Sequence, residues 1–465
     1  MKSPFKNIKR ALDDDVSFGE LGFVAKIKKH LFSERNIFDP IVLLLVLILF
    51  LIGFSMVCSV ESVRLGSKEM ALQLGYGIVG IFLMIVIALA DYRVLNNYLS
   101  ILFFIVIFGV NAFYALLALK SGGIVRGTHF QASEVLKFAV VVLLAYLVCG
   151  FAPLFSKKKK SVTYGSKTIE MKPHVETNRW QFKSEKMFFL LFKSPVSSTL
   201  LMLAVVIFSA VTVVLQSHLS GGIIVLLIGY IILLAGGADK RILIPLGILG
   251  IAVVVLVAVK PEIVLHIKGL KNYMYERIAL WKYKYTVTEC KQLGFDTDRT
   301  QVEASLKAIG SGGLFGLGYN NSIQKYSYLA FAKTDFILAI VVEELGYLRT
   351  LLIFALYALL VLRCVKIATS VNDKFGALIV CGVTFQIALE LLLNIAVVTD
   401  MMPNTGITLP FFSYGGSALI MLFIEMGFVL SVSKHSAYTI RRNKAMAERL
   451  KAFNKWGRKA KTEKK

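Results

Sequence analysis

Ten runs of roughly twenty apolar residues, each long enough to cross a bilayer core as helix, recur along the chain, near 41–59, 71–90, 97–119, 134–154, 197–215, 222–236, 242–259, 336–362, 376–398 and 415–433. In hydrocarbon every backbone N–H and C=O needs a partner within the protein, and a helix supplies those partners inside one segment. The pattern therefore predicts an all-α integral membrane protein with ten transmembrane helices, and no internal repeat at a fixed period divides it. The expected membrane domain is 41–435, flanked by an arm (1–40) and a tail (436–465).

The polar stretches between the runs set the expected topology. Lys434 to Lys465 holds 12 Lys/Arg against 2 Glu, and 157–193 holds 10 against 3. A third basic block, KIKKH, stands just before the first run. Cytoplasmic loops carry the excess of Lys and Arg, so both termini and a basic insert (156–196) are expected in the cytoplasm. An even number of crossings agrees. The first forty residues lack a charged start followed by a short apolar run and a small-residue cleavage site, so no cleaved leader is expected.

One connection differs from the others. The 260–335 stretch between spans 7 and 8 is aromatic, glycine-rich and charged, and it falls on the outer side. A loop of that length is a functional loop by default. Its ALWKYKY and VEASLKAIGS stretches read as amphipathic pieces at the membrane surface.

Composition then narrows the function classes. The formal net charge is +24, which suits anionic headgroups beside basic cytoplasmic segments. No nucleic-acid-binding motif accompanies it, so no nucleic-acid partner is expected. Five scattered cysteines lack the spacing of a metal site or a disulfide framework and read as small buried hydrophobes.

Charged groups inside or beside spans are functional candidates because burying them in lipid is costly. FQASEVLK (130–137) places Glu134 and Lys137 three residues apart on one helix face. Two readings stand: an ion pair capping the span, or Lys137 facing an outer cavity as a cation for an anionic ligand, held by Glu134. FDTDR sets Asp296 and Asp298 two apart in the large loop. KAIGSGGLFGLGYNNS (307–322) offers backbone amides that could approach a phosphate. Glu343 and Glu344 are successive, point about 100° apart, and need separate partners. Glu390, Glu425 and Arg363 read as structural pairs.

The chain resembles the SEDS (shape, elongation, division, sporulation) family, the RodA/FtsW/SpoVE group. Four stretches carry the likeness in the family's order: FQASEVLK, LQSHLSGGIIVLLIG (215–229), AIGSGGLFGLGYNNSIQKYSYLAFAKTDFILAIVVEELGYL (308–348) and MPNTGITLPFFSYGGSALI (402–420). NNSIQKYSYL and GITLPFFSYGG are more similar to the division branch, FtsW and SpoVE. The ten-span plan extends the likeness over 40–435.

The resemblance implies a peptidoglycan glycosyltransferase that polymerises lipid II at the outer face of the bacterial cytoplasmic (inner) membrane. Its partners would be a class B penicillin-binding protein and other divisome or elongasome proteins, with membrane lipids around it. No cofactor is assigned, and a divalent cation stays open as an aid to the pyrophosphate leaving group. The family's catalytic loop aspartate carries over to Asp296, with Asp298 as second choice. There the family's Pro-x-Gly and Tyr-Gln are replaced by FDTDRTQVEAS. Glu134 and Lys137 would support it, and Arg126, Arg277 or Lys325 would contact pyrophosphate. Lys333, Thr334 and Asp335 join the substrate-binding set, with Lys333 standing where the family usually has His. Two further classes compete: a lipid-linked precursor flippase, and a non-catalytic scaffold recruiting a transpeptidase.

PNTGITLPFFSYGGS (403–417) is the most unusual stretch, polar and rich in Pro and Gly between two apolar runs. Irregular backbone at membrane depth is tolerated only when buried in protein or lining a wet cavity, so the loop is expected to re-enter. Thr408, Ser413 and Tyr414 would offer hydroxyls toward a substrate cavity, or the loop would pack against the large segment.

Overall fold

The computed structural model describes residues 38–62, 67–121, 131–155, 160–164, 167–171, 194–216, 218–260, 262, 272–285, 287–293, 295, 299–326, 329 and 331–436. Ten helices among them are long and apolar enough to cross a membrane. These are α1 (Pro40–Ser62), α2 (Ser67–Leu89), α3 (Tyr98–Ser121), α4 (Ala132–Phe155), α5 (Pro195–Leu215), α6 (Leu219–Gly236), α7 (Lys240–Val259), α11 (Ile337–Ser370), α12 (Lys374–Val398) and α13 (Gly416–Ser433). Three shorter helices, α8 (Asn272–Tyr283), α9 (Val287–Gln292) and α10 (Thr300–Ser311), lie between α7 and α11. A two-stranded antiparallel ribbon, β1 (Lys160–Tyr164) with β2 (Lys167–Met171), falls in the basic insert.

Where each helix sits follows from how much of it is apolar to protein rather than to lipid. α4 is the axis of the bundle: 83% of its apolar window is buried, and it packs on α3, α5, α6, α12 and α13. α7 is the opposite case, with 6% of its window buried; it packs along α6, where Tyr230 Oη donates to Leu243 O at 3.0 Å. α2 lies along α13, and α11 along α12 and α1. Close approach needs small residues: an added Cβ at Gly80 of α2 would sit 2.3 Å from the Phe423 ring of α13.

α11 extends over 34 residues, well beyond the 336–362 run, and it is broken at Gly346 (φ 78°, ψ 172°). The break explains the glycine-rich stretch before it. Leu317 N and Gly318 N donate to the carbonyls of Glu343 and Glu344, and Tyr347 N and Leu348 N donate to those of Gly313 and Leu314. Loop backbone thus satisfies helix backbone at the interruption. A Cβ at Gly312 would lie 2.3 Å from Val342 O, and one at Gly316 2.2 Å from Glu344 O. The glycines serve close backbone docking, and the amides of Leu317 and Gly318 that the sequence offered to a phosphate are already engaged.

The adjacent glutamates take different partners except at Ser322, whose N–H donates to Glu344 at 3.3 Å and whose hydroxyl donates to Glu343. Glu343 accepts from Ser322 Oγ at 2.5 Å and Ile323 N at 3.0 Å. Glu344 accepts from Ser59 Oγ at 2.6 Å and Asn320 N at 3.0 Å, and pairs with Lys325 at 3.0 Å with both side chains fully buried. The two amphipathic stretches form α8 and α10, and α10 turns Val302, Ala304, Ser305 and Ala308 inward against α11 and α12.

Because Gly346 combines a left-handed φ with backbone 2.3 Å from where a Cβ would stand, Gly346→Ala should destabilise by about 2 kcal/mol or more. Thermal unfolding of the purified protein in detergent measures this. Gly75→Ala, where an added Cβ meets nothing within 4 Å, is the control and should not lower the midpoint.

Candidate functional site

At one end of the bundle, where α1 ends and α2, α4, α6, α11 and α13 begin, the chain between α12 and α13 turns inward. Ile407, Leu409, Phe411 and Phe412 are buried, and an added Cβ at Gly53, midway along α1, would sit 2.5 Å from Phe411 O. The loop is therefore lodged within the bundle. Its polar backbone is satisfied by side chains from every neighbour: Asn394 Nδ2 donates to Ile407 O (2.7 Å) and Asp335 O (2.8 Å), Ser220 Oγ to Thr405 O (2.8 Å), and Tyr357 Oη to Pro410 O. Tyr414 N donates to Lys333 O at 2.8 Å.

Beside this loop opens a cavity of about 280 Å³. Gln131, Glu134 and Lys137 enter from α4, His218, Ser220 and Gly221 from the start of α6, and Glu390 from α12; Phe331, Thr334 and Asp335 precede α11, and Gly406 to Thr408 with Tyr414 to Ala418 complete the wall. Gly406 adopts φ 70°, and a side chain there would meet Asp335 Oδ2 at 3.2 Å. Glycine lets the loop run tight against that carboxylate.

Electrostatics at the cavity are set by one cation and an excess of carboxylates. Lys137 Nζ lies 2.7 Å from Glu134 and 2.6 Å from Glu390, all three nearly buried. The two readings of the α4 pair thus merge: it is an i,i+3 ion pair, and it faces the cavity. Its charge is matched twice, leaving this trio formally negative by one. Glu425 of α13 is fully buried as well. The charges of Lys137, Glu134 and Glu390 persist in a low-dielectric interior only as a set, because removing one partner strands another charge.

A second charged group stands beside the wall. Lys333 binds Glu61 of α1 at 3.1 Å and Glu69 of α2, and its ammonium lies 5.1 Å from the centroid of the Tyr414 ring. Burial alone would lower its pKa, but the hydrogen bonds and charges of Glu69 and Glu61 outweigh that and hold it above 10.5. Lys333 therefore stays charged and ties α1 and α2 to the turn that begins α11.

Of the residues the sequence nominated, Glu134, Lys137, Thr334, Asp335, Thr408 and Tyr414 line the cavity. Ser413 supports the wall, its hydroxyl donating to Thr334 O and accepting from Leu409 N, both at 2.7 Å. Arg277 donates to Asn404 O at 2.5 Å and so braces the loop from α8. Lys325 is buried in its pair with Glu344, outside the cavity lining. Arg126, Asp296 and Asp298 lie outside the described residues. Among the described residues no three His, Cys, Asp or Glu side chains gather as a metal-ligand set.

Sequence reasoning gave no role to Gln131, His218 or Asn394 and read Glu390 only as a structural partner. Glu390 and Asn394 are one helical turn apart within an apolar run, which is a polar-face signal. Gln131 donates its backbone N–H to Ser417 Oγ at 3.0 Å and sets its amide 3.4 Å from His218 Nδ1, a pairing that no local pattern announces.

A family model for FtsW/RodA/SpoVE, described as cell cycle protein, matches residues 38–438. The chain belongs to that family. Stage V sporulation protein E of Bacillus subtilis is 46% identical over 138 residues, which span 30% of this chain and only 38% of that relative. The probable peptidoglycan glycosyltransferase FtsW of Geobacter sulfurreducens is 28% identical over 417 residues, 86% of this chain and 96% of the relative. A chain from a solved peptidoglycan synthase complex that coordinates polymerization and crosslinking shares the fold with TM-score 0.58 at 20% identity, over 85% of this chain and 97% of that one. The family assignment and the ten apolar helices together make this a multi-pass membrane protein.

Replacing Lys137 strands two carboxylates. Lys137→Met should lower stability by about 3–5 kcal/mol, and adding Glu390→Gln should restore part of the loss. Unfolding midpoints of the two variants test this, and a single variant that melts like the wild type would contradict it.

Proposed function

We propose that the protein is a peptidoglycan glycosyltransferase that polymerises lipid II, acting from the cavity at the α4/α6/α13 end. One observation carries this reading: four stretches separated by scores of residues (130–137, 215–229, 308–348 and 402–420) supply that cavity with residues from each, in a family with curated members named as probable peptidoglycan glycosyltransferases. The basic segments 157–193 and 434–465 follow α4 and α13 at the opposite end. This supports cytoplasmic termini and a cavity that opens on the outer face of the bacterial cytoplasmic membrane.

Glycosyl transfer needs a base for the attacking sugar hydroxyl and stabilisation of the departing lipid pyrophosphate. In the proposed step a carboxylate removes the hydroxyl proton as that oxygen bonds to the anomeric carbon, while the bond to pyrophosphate breaks with its electron pair on the leaving oxygen. Asp296 is assigned as the base, with Asp298 as its alternate. Glu134, Lys137 and Glu390 form the polar floor that supports it, while Thr334, Asp335, Thr408 and Tyr414 bind the sugar portion. Arg126 is the cation for the pyrophosphate, Lys333, held by Glu61 and Glu69, sets the Tyr414 side of the substrate wall, Arg277 acts through the loop it braces, and Lys325 belongs to the supporting frame.

The neighbouring synthase complex, in which polymerization and crosslinking are coordinated, supports a class B penicillin-binding protein as partner. Relatives named stage V sporulation protein E and FtsW are among the similar proteins, which favours an FtsW- or SpoVE-like role.

Purified with its transpeptidase partner, the protein should convert lipid II to glycan polymer, and Asp296→Asn should slow this by about 10²-fold or more. Full polymerisation by that variant would remove the assignment to Asp296, and the same test on Asp298→Asn would then decide the alternate. Lipid II movement across vesicles without polymer would instead favour a flippase.

A further inference from the structure

Two residues outside the helices hold a left-handed backbone that side chains disfavour, and they bind each other. Lys284 and Asp400 both have φ 56°, and Lys284 Nζ donates to Asp400 Oδ2 at 2.5 Å. Asp tolerates this region better than most residues and Lys does not. Non-glycine residues keep such a conformation when their surroundings enforce it, and the enforcement clusters at functional sites.

Those surroundings are specific. Arg299 Nη2 donates to the same Asp400 oxygen at 2.8 Å, and Trp281 Nε1 donates to the Asp400 carbonyl at 3.1 Å. Arg299 is itself buried, with Nη1 on Leu280 O at 3.3 Å, and its carbonyl accepts from Glu303 N to begin α10. One carboxylate thus joins the end of α8, the start of α10 and the chain leaving α12. Burial would raise the Asp400 carboxyl, but its bonds to Arg299 and Lys284 overcome that and hold it below its ordinary value.

The connection onward is short. Four residues past Asp400, Asn404 O is gripped by Arg277 of α8, and Gly406 to Thr408 form the cavity wall beside Asp335. On the other side, Ser305 of α10 donates to Val398 O at 2.8 Å. We propose that Asp400 is a positioning residue: by locking α8 and α10 onto the chain between α12 and α13, it fixes where the cavity-lining stretch 406–408 stands. The exposed Lys284 contributes little to global stability, whereas losing one partner of the Arg299–Asp400 pair should also lower the unfolding midpoint, so geometry is read locally. Arg299 also directly follows Asp298 in the chain, so the same lock fixes the point from which that stretch departs. The kinetic part of the test rests on the glycosyltransferase reading.

Glycine suits the left-handed backbone, so Asp400→Gly deletes the lock without adding strain. Two measurements decide the proposal, both on the full chain with its transpeptidase partner. In hydrogen exchange well below each variant's unfolding midpoint, amides of 404–408 should open faster in Asp400→Gly and in Arg299→Gln, with amides of α4 exchanging as in the wild type and monodispersity kept; unchanged exchange at 404–408 overturns the proposal whether or not the protein polymerises lipid II. In lipid II kinetics, kcat should fall about tenfold with KM within about twofold, and Asp400→Asn should recover part of the rate. Asp400→Asn combined with Arg299→Gln should be no worse than the poorer single variant, as expected for residues acting together. Wild-type kcat in Asp400→Gly, a change confined to KM, or additive losses would each overturn it. A wild-type protein that makes no polymer defeats the glycosyltransferase reading, and hydrogen exchange alone then rules on Asp400.

Discussion

Irregular backbone inside a membrane bundle has no water to satisfy it, and the rest of this structure is arranged around that constraint. The chain from Thr399 to Gly415 leaves α12 as non-helical polypeptide and turns in toward α1 and α11. Each exposed carbonyl or amide would cost several kcal/mol in hydrocarbon. Asn394, Ser220, Tyr357, Arg277 and Trp281, from four different helices, each give a side-chain hydrogen to one of its carbonyls. Gly53 and Gly406 remove the side chains that would keep neighbours apart. A second irregular stretch obeys the same rule, since the glycine loop 312–318 closes the break at Gly346 with backbone bonds of its own.

Holding the loop in place creates a polar cavity where α4, α6, α12 and α13 would otherwise meet, and its charge is the next consequence. Lys137 between Glu134 and Glu390 leaves carboxylate in excess, with Asp335 on the facing wall. Such a surplus suits neutral hydroxyl-bearing groups, in keeping with the sugar-binding role proposed for Thr334, Asp335, Thr408 and Tyr414. Lys333 stands at its margin beside Tyr414, with Glu61 and Glu69 already on its ammonium.

Much of this was legible in the sequence because membranes leave few options. Span number and helix type followed from run length alone, and the polar loop 403–417 declared itself against its surroundings. The largely separate partners of Glu343 and Glu344 followed from helical geometry. Other features were not legible because they depend on contacts between distant residues. Nothing near Lys325 shows that its ammonium closes on Glu344 and Ser59 rather than on substrate. The glycine-rich stretch looks alike whether it cradles a phosphate or docks on a broken helix, and Gly346 decides between them. His218, Gln131 and Asp400 drew no functional reading because each gains its meaning from a partner about ninety or more residues away.

The central claim is that lipid II is handled in the cavity beside the buried loop, and site-specific photocrosslinking tests it most directly. A photoreactive amino acid introduced in turn at Thr408, at Ser417 and at exposed Leu314 on the docked glycine loop would be illuminated with lipid II in the full chain and its partner. Adducts at 408 and 417 and none at 314 are the predicted result. Adducts at 314 with none at the two cavity positions would contradict the account.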